Sequence, residues 1–158
     1  MPAFSDRQDV PYRADQLFDL VADVGKYPEF LPWCAAARVR TRTDSELLAD
    51  LTIGFGPFRE NFSSRVALDR PRGMVVRYED GPFHYLINRW GFAPAPEGSP
   101  LGCIVDFHVD FEFRSRVLEA AIGVVFQDAV RRMVGAFHAR ARVVYDTTTA
   151  GLVAPTSL

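Results

Sequence analysis

Two polar side chains interrupt apolar faces of the chain, and these are the positions where chemistry could sit. Glu60 lies between Phe58 and Phe62 in a segment of alternating residues, and Asn88 shares a face with Leu86 and Trp90. A carboxylate turned toward an apolar face is costly unless it is paired or hydrogen-bonded. Glu60 is therefore expected either to pair with an arginine at the rim of the interior or to meet a polar group of a ligand. Asn88 can donate and accept, which suits a carbonyl-bearing head group or, equally, a neighbouring loop. Catalysis has little else to draw on. His84, His108 and His138 are scattered in no HExxH arrangement, and no GxSxG, P-loop or dinucleotide fingerprint occurs. Cys34 and Cys103 lack metal-binding spacing and a sequence-local base, so both read as reduced core thiols. Asp106, Asp110 and Glu112 share the polar side of one strand, where a solvated charge row is the expectation. The chain is read as non-enzymatic, with no catalytic cofactor and no metal; proton transfer would rest on Glu60 alone.

Positioning these residues falls to elements legible from periodicity. From Cys34 to Phe113 the apolar period is mostly two, clearest in Cys103, Val105, Phe107, Val109, Phe111 and Phe113. Before it come a strand over Phe4 to Tyr12, a short amphipathic helix over Ala14 to Val24 ended by Gly25, and a compact hydrophobic hook, KYPEFLPW, at Lys26 to Trp33. After it, Ser115 to Tyr145 carries an apolar stripe at helical spacing, with Ser115 as N-cap. Ala120 to Phe126 is almost continuously apolar and is expected to be covered on more than one side, with Gly123 marking either a kink or room for a ligand. Residues 147–158 lack periodicity and bulk and are expected to be a disordered tail behind a single domain over 1–146. Strand, short helices, six further strands and a long helix imply an α+β fold in which a curved antiparallel sheet of about seven strands is covered by the C-terminal helix.

Charge and composition narrow the partners. A formal net charge of -2 over 158 residues argues against a generic nucleic-acid surface, and no DNA partner is expected. Neither a signal-peptide core nor a run long enough to cross a bilayer occurs, which predicts a cytoplasmic protein with at most peripheral membrane contact. The 13 phenylalanines suit a lined apolar cavity as well as a packed core. By parity, Phe58, Phe62, Trp90, Phe107, Val109, Phe111, Ile122 and Phe126 should line it. The hook residues Tyr27, Phe30, Leu31 and Trp33, beside a basic stripe of Arg38, Arg40 and Arg42, either dock the cavity mouth on an anionic bilayer or plug the end of the sheet.

At these same residues the chain resembles a known family. KYPEFLPWC at 26–34, LTIGFGPFRENFSSRV at 51–66, DGPFHYLINRWGF at 80–92 and the run from Val105 to Ala141 are similar to the coenzyme Q-binding protein COQ10 family of the START-like, polyketide cyclase/dehydrase and lipid transport superfamily. The resemblance implies a helix-grip fold and binding of ubiquinone, a polyprenylated quinone, in support of respiratory electron transport at the inner membrane or its respiratory complexes. The same family includes bacterial ribosome-association toxins, which implies as an alternative that the chain binds the large ribosomal subunit and blocks subunit joining.

Overall fold

In the last strand of the sheet, Cys103–Phe113, every odd residue is buried and every even one is part-exposed. Alternation sets which side chains face the helices in this strand, and elsewhere in the sheet register shifts interrupt it. The computed structural model describes residues 3–55, 58–80, 83–95 and 102–146, excluding the side chains of residues 55, 58, 80, 122, 125 and 146. Its strands are β1 (Ala3–Val10), β2 (Cys34–Arg42), β3 (Glu46–Phe55), β4 (Phe58–Asp69), β5 (Gly73–Asp80), β6 (Phe83–Pro94) and β7 (Cys103–Phe113). They form one antiparallel sheet of seven strands in the order β1-β7-β6-β5-β4-β3-β2, so only β1 leaves its place in the meander. The α+β class and strand count agree with the sequence reading. Residues 147–158, expected to form a tail, lie outside the described residues.

The helices are α1 (Ala14–Ala22), α2 (Arg116–Arg131) and α3 (Met133–Ala141), with a 3-10 turn over Val24–Glu29 and a π turn over Arg142–Asp146. Ser115 caps α2 as its residue type predicts, its Oγ accepting from the Leu118 amide at 3.1 Å. Such a cap contributes about 1 kcal/mol. The single long helix is corrected to two, and the break falls at Arg132 rather than at Gly123. Gly123 is buried, and a Cβ built there would make only ordinary contacts, 3.4 Å from Glu119 Cγ and 3.9 Å from the Phe113 ring. The break lets α2 pack on β7, β1 and β3 while α3 packs on α1 and β1. The expected double covering of 120–126 is also corrected. Val124 is 82% exposed and Val117, one face-repeat earlier, 78%, because no second layer among the described residues reaches this side of α2.

Aromatic packing fills much of the space between helices and sheet. Phe83, 1% exposed, has Phe113, Phe126 and Tyr78 ring centroids at 5.1, 5.0 and 5.8 Å. Phe111, expected in the cavity wall, instead packs into this cluster against Phe83 at 6.2 Å and Phe126 at 4.8 Å.

The hook is folded inward. Tyr27 donates its hydroxyl to the Val21 carbonyl, and Arg42 Nη1 donates to the Ala22 carbonyl at 3.1 Å, so two carbonyls at the end of α1 gain partners. The Tyr27 and Phe30 rings meet Phe137 of α3 at 5.2 and 5.1 Å. Leu31 is 2% exposed. Of the two expected arrangements, Tyr27 and Leu31 take the one in which the hook plugs the end of the sheet, because burial against α3 removes their apolar surface from water. Arg140 closes the arrangement: its Nη2 donates to Glu29 Oε1 at 2.7 Å and its guanidinium lies 5.1 Å from the Phe30 centroid.

That clamp carries a pH signature. The hydrogen bond from Arg140 holds the Glu29 carboxyl below its ordinary value of 4.5. A lowered folded-state value means its contribution is complete above the unfolded value and is lost as pH falls through the folded one. Amide protection in the Val24–Glu29 turn, corrected for intrinsic exchange, is therefore expected to weaken below about pH 4 in the parent protein. In Arg140→Met it should be weaker at neutral pH and lose most of this acid dependence, leaving the part that Lys26, 3.6 Å from Glu29, maintains. Equal protection in both proteins across the range would show that the clamp does not hold the hook.

Candidate functional site

The interior is not completely filled. A void of about 120 Å³ remains between the inner sheet face and the helices. One wall comes from β3 and β4, through Ala49, Leu51 and Ile53 facing Phe62, Ser64 and Val66. A second comes from β6 and β7, through Leu86, Asn88 and Trp90 with Phe107 and Val109. Phe126, Val130, Met133 and Phe137 of the two helices form the roof, and Tyr27, Leu31 and Trp33 of the hook close one side.

The expected lining residues divide accordingly. Phe62, Asn88, Trp90, Phe107, Val109 and Phe126 all reach the void. Glu60 does not: it is half-buried near the end of β4 opposite Ile53, on the predicted face but beyond the wall. Neither an ion pair nor a hydrogen bond of its carboxylate is formed among the described residues. The side chains of Phe58 and Ile122 lie outside the described residues. Tyr27, Leu31 and Trp33, expected either to dock on a bilayer or to plug the end of the sheet, line this cavity.

Asn88 is already engaged. Its Oδ1 accepts from Trp90 Nε1 at 2.9 Å and its Nδ2 donates to the His108 carbonyl at 2.9 Å, fixing the Trp90 indole and tying β6 to β7. Its partner is thus the adjacent strand, in place of either a ligand or a loop. The polar group the sequence reading passed over is Ser64. It is 2% exposed, and among the described residues its Oγ is the one buried side-chain polar atom without a hydrogen-bond partner. The parity that put Phe62 and Val66 inside also put Ser64 there, so the signal was present. Cys34 shares the wall, and burial pushes its thiol up to about 11, which keeps it protonated and a poor nucleophile at neutral pH.

A larger groove of about 790 Å³ lies on the opposite side of the sheet, over β1, β7, β6, β5 and β4. Its floor contains the paired Gly73 and Gly91, and its rim carries Arg7, Arg72, Arg89 and His108. Much of this charge is cancelled in place: Arg7 Nε lies 2.6 Å from Asp106, Arg72 Nη2 lies 2.9 Å from Asp69, and Ser5 Oγ meets His108 Nδ1 at 2.6 Å. An open groove with internal ion pairs gives no single ligand class an advantage, so the enclosed void is the better candidate. The basic stripe on β2 is also partly spent, with Arg40 Nε 3.1 Å from Asp50 and Arg42 on the α1 carbonyl, which leaves Arg38 exposed.

Sequence comparison adds the lineage. A family model described as polyketide cyclase / dehydrase and lipid transport matches residues 10–138. The chain belongs to this family. Among its relatives is the ribosome association toxin RatA of Escherichia coli strain K12, 37% identical over 145 residues that make up 92% of this chain and 90% of the toxin. Another is the mitochondrial coenzyme Q-binding protein COQ10 homolog B of Xenopus laevis, 31% identical over 156 residues, 98% of this chain and 64% of that protein. The fold is shared with a START superfamily protein from Mycobacterium smegmatis at a TM-score of 0.73 and 16% identity, covering 90% of this chain and 98% of that one. The expected START-like helix-grip architecture is therefore the observed one. Among the described residues no helix is long and apolar enough to cross a membrane.

Proposed function

We propose that the protein binds the ring of a polyprenylated quinone in the interior void, without catalysing a reaction on it, and presents that quinone for use in respiratory electron transport. The observation that carries this reading is the void itself: an apolar, aromatic-walled space with, among the described residues, a single unpartnered hydroxyl. Its size limits what it encloses. At about 120 Å³ it is of the order of the ~150 Å³ engineered cavity that takes up benzene, and well below the several hundred Å³ usual for whole drug-sized ligands. It suits a ring, whereas a long isoprenoid tail stays outside, in the bilayer or along the surface. With Tyr27 and Leu31 turned inward, the large apolar side chains exposed for a bilayer among the described residues are Val117 and Val124 of α2 and Val143 of the π turn. Such contact would be made from the cytoplasmic face of the inner membrane.

The second reading is support of a ribosome-directed activity, favoured by the relative named as a ribosome association toxin, which matches most of this chain. Its difficulty is electrostatic. Arg7, Arg40, Arg65, Arg70, Arg72 and Arg140 each stand within 3.1 Å of a carboxylate, so phosphates would have to displace existing partners. Exposed pairs of this kind are weak, about 0 to 1 kcal/mol each, and displacement is feasible at low salt.

Organic extraction and native mass spectrometry of protein from its own cells is expected to return a bound quinone. Titration with quinones of increasing tail length should then show affinity rising over the first isoprene unit and levelling off, because each enclosed CH₂ contributes about 0.8 kcal/mol and later ones are not enclosed. No quinone binding by folded protein, together with co-sedimentation with large ribosomal subunits at physiological salt, would overturn the first reading in favour of the second.

A further inference from the structure

Ser64 is the residue that the fold leaves unexplained. It sits in the middle of β4, opposite Ala49 of β3 and Tyr78 of β5, with Phe62 and Val66 on the same face. Serine is a weak strand former and adds little apolar surface, so packing alone gives no reason for it there. Its hydroxyl has no partner, although it is 2% exposed and lines the void. A buried donor without a partner carries the cost of its lost hydration, whereas an alanine of similar shape would not. The other polar groups of the wall are committed: Asn88 and Trp90 to each other, Asn88 also to β7, and Tyr27 to α1. Among the described residues the Ser64 hydroxyl is therefore the polar group of this largely apolar, ring-sized space that has no partner at all.

We infer that the Ser64 hydroxyl is the polar anchor of the cavity, donating a hydrogen bond to an acceptor oxygen on a single-ring ligand and selecting a quinone over a plain arene of the same shape. The inference rests on the reading that the void takes a quinone ring, and it names what within the void recognises that ring. Trp90 and Phe107, whose ring centroids stand 4.8 Å apart, supply apolar contact that does not distinguish a quinone from an arene. Ser64 supplies the distinction. One carbonyl of the ring would be hydrogen-bonded by Ser64 and the other would face side chains that are apolar or already have a partner among the described residues.

The test compares duroquinone with durene, two tetramethyl rings that differ in the two carbonyl oxygens. Full substitution of the quinone also blocks addition of Cys34 to the ring. The parent protein is expected to bind duroquinone more tightly than Ser64→Ala does by about 3- to 10-fold, the range of one hydrogen bond. Durene affinity should be the same in both or slightly higher in the variant. Thermal melting of unliganded Ser64→Ala should be unchanged or raised, because an unpartnered hydroxyl has been removed. In the parent complex, infrared difference spectra should show one carbonyl stretch lowered relative to the other. This spectrum needs no variant, so the inference stays exposed even where Ser64→Ala fails to fold. Equal duroquinone affinity in parent and folded variant, or two equivalent carbonyl bands, would overturn the anchor while leaving the cavity reading intact. Failure of the parent to bind either ring would overturn the cavity reading, and the anchor with it.

Discussion

Phe83→Ala is expected to lower the free energy of unfolding by about 3 to 5 kcal/mol, the range for removing a large aromatic from a close-packed core. Phe83 is 1% exposed and its ring meets those of Phe62, Tyr78, Phe111, Phe113 and Phe126, with centroids between 5.0 and 6.2 Å. It joins β4, β5, β7 and α2 in one cluster, so truncation leaves a hole that no single neighbour can collapse to fill. Because a domain's total stability is only about 5 to 15 kcal/mol, the variant should be marginal near body temperature. The comparison is Phe4→Ala on the edge strand, where the ring is half-buried and packs on Phe107 at 6.2 Å. That change should cost clearly less. Urea unfolding of both variants at unchanged slope gives the two values, and a loss below about 1 kcal/mol at Phe83 would mean that this aromatic cluster is not what holds the helices to the sheet.

Ala49→Leu is expected to abolish most ligand binding while the protein stays folded. Ala49 is 1% exposed, lines the void and faces Ser64 across β3 and β4. Leucine there extends three more carbons into space that is already empty, so the usual overpacking cost of about 1 to 3 kcal/mol is at least partly offset by new contacts. A ring entering the same space must expel that side chain. Quinone affinity should fall at least about tenfold, equivalent to 1.4 kcal/mol, with circular dichroism unchanged. Undiminished binding by the folded variant would place the ligand elsewhere, and the outer groove beneath Arg89 would become the site to examine.

The order of elements was legible because period-two burial is a local property. Each residue of β7 announces its face by its type, and the structure buries Cys103, Val105, Phe107, Val109, Phe111 and Phe113 as the alternation requires. The same local rule placed Phe62, Trp90, Phe107 and Val109 on the inner face, and helical spacing did so for Phe126; all five reach the void. The family motifs added the helix-grip connection that periodicity alone suggested less specifically. What parity could not separate was a residue lining a void from one packed against a ring. Phe111 and Phe107 share a strand and a face, yet the first meets Phe83 and Phe126 while the second borders empty space.

Three features were decided only by tertiary contacts. The helix breaks at Arg132, although Gly123 has the weaker helix propensity, because α2 and α3 must follow different parts of the interior. The hook turned inward because Phe137, more than 100 positions along the chain, offers a ring to both Tyr27 and Phe30. Asn88, expected to meet a ligand head group or a loop, found Trp90 and the backbone of β7, whereas Ser64, given no role from the sequence, has no partner among the described residues. Sequence determines which face a polar side chain occupies, since that depends on the residue's own position in the strand. Whether its hydrogen bonds are met depends on atoms from distant segments, and only their arrangement in space decides that.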